Sequence, residues 1–390
     1  LLYNHLLTLR QYTLGNFKQM VHAVTIDPAM LRYLNGVQNT KNNPDENYAR
    51  ELQELFTVGK GPDSQYTEED VQAAAKVLTG YRINFTTFTY FFLPTAHDTS
   101  NKQFSAFYNN TIIQGQTGAA GENELSALLD MIFATQEVAK HVCRKLYRFF
   151  VYYEITDQIE ADIITPLANI FRDNNYEILP VLSALLRSEH FFDSYYSDCV
   201  IKNPLDFFVG MCREMQIPFP SDMVLTYQAT ERIRTQCTNL QLNPCDPPSV
   251  SGWPAYYQEP SFHELWINTD TFSKRMEIGS TMCNNGYQII VGQRLKIDHV
   301  GFTLTFDNPS DPNALVDEAV LMLYSYDVDQ EFKDYLKSFL LSGQTSDYYW
   351  SDAWAEYTSN PTDTNAYNTV NSRLKAMFEY MLTQAEYQLY

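Results

Sequence analysis

The chain has 390 residues, 45% hydrophobic, 14% aromatic and 19% charged, with a formal charge of −20 at pH 7. That composition is too apolar for a disordered chain, and the length suffices for one large core or two ordinary ones. The charge argues against nucleic acid or an anionic membrane as partner, since both would repel it over the range of the Debye length.

Leu1 already lies inside an apolar helical pattern, so an upstream part is expected to precede it. Apolar residues at three- and four-residue steps predict helices over 2–24, 28–35, 45–58 and 67–79. Asp27-Pro28 and Asn43-Pro44 place proline at a first helical position. Thr67 and Asp70 read as a capping box, and Gly80 as the matching stop. From 81 to about 115 the residues turn β-branched and aromatic, which predicts a hairpin or small sheet. Helices resume over 122–187 and 204–237. Five prolines between Asn243 and Pro260 exclude a helix or central strand there; the aromatic group Trp253, Tyr256, Tyr257 and Trp266 favours an ordered loop. Further helices are expected at 261–283, 312–325, 328–341 and 365–389. The fold class is therefore mainly α, a multi-helix orthogonal or bundle-like domain with a small β insertion near 81–115. A helical domain over 1–285 is expected, followed by an acidic, mostly helical region over 286–390. From Gly301 to Tyr390 there are 14 acidic and 4 basic side chains, the pattern of a solvated face or of a surface for cations or a basic partner.

No run is long and apolar enough to predict a transmembrane helix. The six cysteines form no CxxC pair, so zinc-ribbon and thioredoxin readings lack support. Cys237 and Cys245 bracket a short loop that a disulfide would close in an oxidising compartment, whereas Cys143 reads as a packed thiol. Surplus tyrosine, 28 residues, suits wet interfaces, ligand grooves or extracellular surfaces.

PDENYARELQELFTVG, starting at Pro44, separates on a helix into two faces. Tyr48, Leu52, Leu55 and Phe56 are apolar, while Asn47, Arg50, Glu51 and Glu54 form a charged stripe. In ATQEVAKHVCRKLYRFFVYY, His141, Arg144, Lys145 and Arg148 form a basic stripe opposite Val138, Val142, Leu146, Phe149 and Phe150. Two such stripes predict helices that face each other across a paired polar layer, because buried charge is tolerated only when paired.

In order, PDENYARELQELFTVGKG, SQYTEEDVQAAAKVLTGY, HDTSNK, HVCRKLYRFFV, IKNPLDFFVG, PPSVSGWP and a downstream WIN resemble the bacterial domain of unknown function 1800 family over about 1–285. The resemblance implies a mostly helical, exported protein, at the periplasm, outer membrane surface or secreted, in the style of Bacteroidetes-type bacteria. It implies a gene neighbour of phosphatase-like or sulfatase-like type as a candidate protein partner. No reaction or cofactor comes with it.

His97-Asp98 with Lys102 corresponds to the family's HD-x-x-x-K pattern, in which an imidazole beside a carboxylate suits acid/base work or metal ligation, or else a capped turn. Catalytic candidates are thus Glu51, Glu54, His97 and Asp98. Arg50, Lys102, His141, Lys145 and Arg148 are candidates for an anionic group, and Trp253 and Trp266 for stacking on a carbohydrate or for pinning their loop. HELWI at His263 lacks the second histidine of a zincin helix, no metal set is assigned, and DNPSDPN at 307–313 lacks EF-hand spacing. No serine-hydrolase, Walker or dinucleotide motif occurs. The leading expectation is an exported envelope or cell-surface protein acting as a scaffold or binding component. The alternative is a hydrolase of polysaccharide or of a phosphate or sulfate ester.

Overall fold

The structure, a computed structural model, describes residues 1–259 and 261–390. It is mainly helical, and its sheets among the described residues are three two-stranded antiparallel ribbons. The chain divides into two compact units, Leu1–Phe192 and Asp193–Tyr390. The expected boundary near 285 does not coincide with this division. Ile278, Met282 and Cys283 of helix Thr269–Asn284 share one core with Leu295, Val320 and Phe378, so position 285 falls inside the second unit.

In the first unit the pattern over 2–24 forms two helices, Leu2–Tyr12 and Phe17–Thr25. Asn16 ends the run by adopting extended backbone and accepting from Gln19 N, a cap that competes with continuing the helix. Glu68–Val77 begins at the expected capping box. Asp70 goes further than capping, because it also accepts from Ser105 N and Ser105 Oγ, both at 2.7 Å. This helix buries Val71, Ala74, Ala75 and Val77 in a core shared with Leu125, Leu128, Leu129 and Ile132 of helix Glu124–Phe133. Gly80, at φ +98, turns the chain into strand Tyr81–Asn84, which pairs with Thr89–Phe92 in the register Tyr81 to Phe92 and Asn84 to Thr89. A second ribbon pairs Lys102 with Ile113 and Gln103 with Ile112. The β insertion falls where β-branched and aromatic residues predicted it.

In the second unit, helices Pro204–Glu214, Met223–Asn239, Pro312–Leu323, Gln330–Leu340 and Thr364–Leu382 surround a core containing Phe207, Phe208, Met211, Leu374 and Phe378. Helix Tyr348–Ser359 lies in a stretch with no predicted element; it buries Trp350, whose indole N–H donates to Pro309 O at 2.8 Å. The DNPSDPN stretch is thereby a helix entry, with Asp311 capping Asn313 N. Cys237 and Cys245 are not joined: Cys237 is buried with its thiol on Pro204 O, and Cys245 is exposed. No helix of the described residues is long and apolar enough to cross a membrane.

Candidate functional site

The charged opening stretch starts as an α-helix, Asn47–Glu51, and widens into π-helical turns over Leu52–Thr57. Side chains hold that widening. Gln53 is fully buried, donates to Ala49 O and accepts from Tyr108 OH at 2.7 Å, while Thr57 Oγ1 donates back to Leu52 O. Val58 N and Gly59 N both converge on Gln53 O at 2.9 Å, which leaves the Leu55 carbonyl to side chains. Helix Gln136–Phe150 supplies them: His141 Nε2 lies 3.3 Å and Lys145 Nζ 3.1 Å from Leu55 O. A cation at the carbonyl end of a helix is favoured by its dipole. Gly59, at φ +88, has no room for a Cβ against the His141 ring.

The two helices do meet, but the stripes do not neutralise each other as the sequence suggested. Arg50 is held by both carboxylate oxygens of Glu68 and, at 3.2 Å, by Glu46. Glu54 pairs with Lys60 at 2.7 Å. On the other helix, Arg144 makes a two-pronged bond to Glu160 at 2.9 and 2.6 Å and reaches Glu137, and Arg148 Nε donates to Tyr153 O. Glu54 stays beside Arg50 and Glu51, and the charges of this stripe are met by Glu46, Lys60 and Glu68 rather than by the basic helix. The basic face therefore grips a backbone carbonyl. Its electrostatics follow. Burial, aided by Lys145, pushes His141 down to about 4, and burial with Arg148 lowers Lys145. Burial with Glu54 raises Glu51, and burial with Glu54 pushes the nearby Tyr66 up to about 12.

His97, Asp98 and Lys102 belong to a separate, sealed network. Its centre is Glu124, which the sequence reading did not single out. Oε1 of Glu124 faces His97 Nε2 at 3.1 Å and accepts from Gln116 N at 2.6 Å; Oε2 accepts from Lys102 Nζ at 2.6 Å. Lys102 also donates to Asp98 O and lies 3.9 Å from the Asp98 carboxylate. On the other side of the ring, His97 Nδ1 lies 2.9 Å from Thr79 O and 3.1 Å from Thr79 Oγ1, so both ring nitrogens have partners. His97, Lys102 and Glu124 are each at most 2% exposed. Burial works to raise Glu124, but His97, Lys102 and Gln116 N together hold it below the ordinary carboxylate range. Asp98 is likewise lowered, burial being outweighed by Ser100. Phe92 packs over the imidazole at 5.2 Å between ring centres.

Trp266 is 4% exposed and Tyr256 meets it edge-on at 5.5 Å, with Leu242 and Ala255 beside it. Trp253 is half-buried against the same group. The tryptophans thus pin the proline-rich loop, and Trp266 offers no open face. The IKNPLDFFVG stretch docks here too. Asn203 caps its helix and donates to Tyr256 OH; Lys202 N donates to Gln388 O at 2.7 Å; Lys202 Nζ lies over the Tyr387 ring at 4.2 Å. Arg275, fully buried, donates to Lys202 O and Gln388 Oε1 and stacks on Phe207; burial brings it down to about 10. His263 Nδ1 accepts from Ile201 N at 3.1 Å, a structural bond.

The candidate residues thus fall into separate groups. Glu51, Glu54 and Arg50 lie on one half-exposed surface with Tyr66; His141, Lys145 and Arg148 brace a π-helical turn; His97, Asp98 and Lys102 close on Glu124; Trp253 and Trp266 anchor a loop of the second unit. Among the described residues no set of three or more His, Cys, Asp or Glu is placed to hold a metal ion.

A mainly helical protein with one closed polar network, centred on Glu124, is what fold and site define. The chain belongs to the family described as Protein of unknown function (DUF1800), whose model matches residues 2–389. The match extends the resemblance seen over 1–285 to the C-terminal region, where Gln388 O accepts from Lys202 N of the IKNPLDFFVG motif. Comparisons with curated proteins and with solved structures give no match.

Proposed function

We propose that this protein is a scaffold or binding component of an extracytoplasmic assembly, at the envelope or cell surface, and acts by holding a protein partner. The carrying observation is the state of its HD-x-x-x-K motif: His97 and Lys102 are spent on Glu124 inside the core, 1% exposed each. A catalytic imidazole needs a substrate within hydrogen-bond reach, and this one is enclosed by Thr79, Glu124 and Phe92. The surface, in contrast, carries exposed aromatics such as Phe85, Tyr195, Tyr227 and Tyr348, the residue types that anchor interfaces. Cross-linking in producing cells tests the proposal. A single partner recovered in fixed stoichiometry supports it, and a purified chain that turns over substrate without a partner refutes it.

One observation favours a second reading, a hydrolase of polysaccharide or of a phosphate or sulfate ester. Glu51 takes up a proton more readily than an ordinary glutamate, through burial and the neighbouring Glu54, which is itself ion-paired to Lys60. Two carboxylates in unlike environments are the electrostatic basis of an acid/base pair. His97 and Asp98 take no part in this version. Turnover of a nitrophenyl phosphate, a nitrophenyl sulfate or a polysaccharide that Glu51→Gln abolishes would establish it.

A further inference from the structure

The turn between strands Tyr81–Asn84 and Thr89–Phe92 presents two phenylalanines to solvent, Phe85 at 60% and Phe88 at 49% exposure. It is built to be rigid. Phe88 N donates to Asn84 O at 2.8 Å, and Asn84 Oδ1 accepts from Thr86 N and Thr87 N at 2.9 and 3.2 Å. Phe88 has φ +55, a left-handed conformation that costs a bulky side chain energy and that asparagine or glycine adopts readily. Tyr176 has a similar φ of +64, but its ring packs edge-on against Phe133 at 4.8 Å and its hydroxyl donates to Phe133 O. That packing offsets the strain. Phe88 lacks such compensation, being half in water, and the turn of the third ribbon, between strands Tyr287–Ile290 and Gln293–Leu295, uses Gly292, at φ +85, for the same task. Backbone strain spent on displaying an exposed aromatic points to a role for its ring.

Resting on the binding reading above, we propose that the Phe85–Phe88 tip is the anchor that enters an uncharged, apolar, concave pocket on a partner protein. Charge selects this occupant. Ile83 to Ala96 contains no charged residue, in a chain of net charge −20. An anionic lipid surface would repel the molecule, and the segment has no lysine or arginine to attract lipid headgroups. Area excludes a second copy meeting tip to tip. Two half-exposed phenylalanines offer on the order of 200 Å², whereas each side of a stable complex contributes about 800 Å². The tip is therefore the centre of a larger contact, where aromatic anchors carry most of the binding. Its hydrogen-bonded turn means little freedom is lost on docking.

The test places a photoreactive benzoylphenylalanine at position 88 of the full chain in producing cells, with position 291 as control because Val291 is 90% exposed on the turn of the third ribbon. The captured protein is then purified and titrated with wild type, Phe88→Asn and Phe85→Ser. Expected are a cross-link from position 88 to one protein, attached within an uncharged pocket, and affinity weakened at least about tenfold by either substitution. Phe88→Asn should melt no lower than wild type, since asparagine accepts this φ, so the loss is not misfolding. No cross-link from position 88, a cross-link to a second copy, or co-sedimentation with phosphatidylcholine vesicles that Phe88→Asn removes would each overturn the proposal. Unchanged partner affinity in Phe88→Asn would overturn the tip and leave the binding reading standing. Partner-free turnover abolished by Glu51→Gln would overturn both.

Discussion

The Lys102 ammonium lies 2.6 Å from Oε2 of Glu124, and both side chains are at most 1% exposed. Removing one member of such a pair leaves the other charged and dry. Glu124→Gln should lower unfolding free energy by about 3–5 kcal/mol, and Lys102→Met by a similar amount. Because both act on one network, the double variant should lose less than the sum, read by a double-mutant cycle in urea. Additive losses would mean the two side chains do not meet.

Gly121 tests the seal around His97. A Cβ there would lie 2.6 Å from His97 Cδ2 and 3.1 Å from Phe92 Cζ. Gly121→Ala should cost about 1–3 kcal/mol as an overpacking change, seen as a lowered melting temperature. A neutral outcome would show that the imidazole has room to move.

Arg50 should behave in the opposite way. Its bonds to Glu46 and Glu68 are more than a third exposed, so Arg50→Ala should cost no more than about 1 kcal/mol by thermal melting. A larger loss would put these charges in a load-carrying layer after all.

Acid sensitivity has a named source. His141 is held down to about 4 from an ordinary 6.5. Between those values the unfolded chain binds the extra proton, so stability is complete above 6.5 and is lost as the pH falls toward 4. The full shift corresponds to roughly 3 kcal/mol. His299, also near 4 through burial, acts in the same direction in the second unit. Urea midpoints at about pH 7.5 and about pH 5 should differ less in His141→Gln than in wild type; equal pH dependence would contradict the assignment.

Much of this was legible in the residues. Caps announced themselves: Thr67 with Asp70, and Pro28 after Asp27, start helices where local chemistry alone decides the matter. The widening at Leu52–Thr57 did not, because it depends on Gln53 reaching Tyr108, a partner 55 positions away. Arg50 followed the i,i+4 rule to Glu46, yet its second partner, Glu68, comes from the next helix. Glu124 was hidden for a related reason. It begins an apolar helix as any first-turn acid does, and only the fold brings His97 and Lys102 to it. A carboxylate opening a run as apolar as Leu125, Leu128 and Leu129 was the one available signal.

Residue-resolved lysine acylation of the native protein, read by peptide mass spectrometry, tests most directly whether the motif is closed. Lys60, with 77% of its side chain exposed, serves as the internal standard. Lys102 should stay unmodified until the first unit unfolds. Modification of Lys102 at a rate near that of Lys60 would mean that His97, Lys102 and Glu124 open to solvent, and the case for a sealed, non-catalytic network would fail.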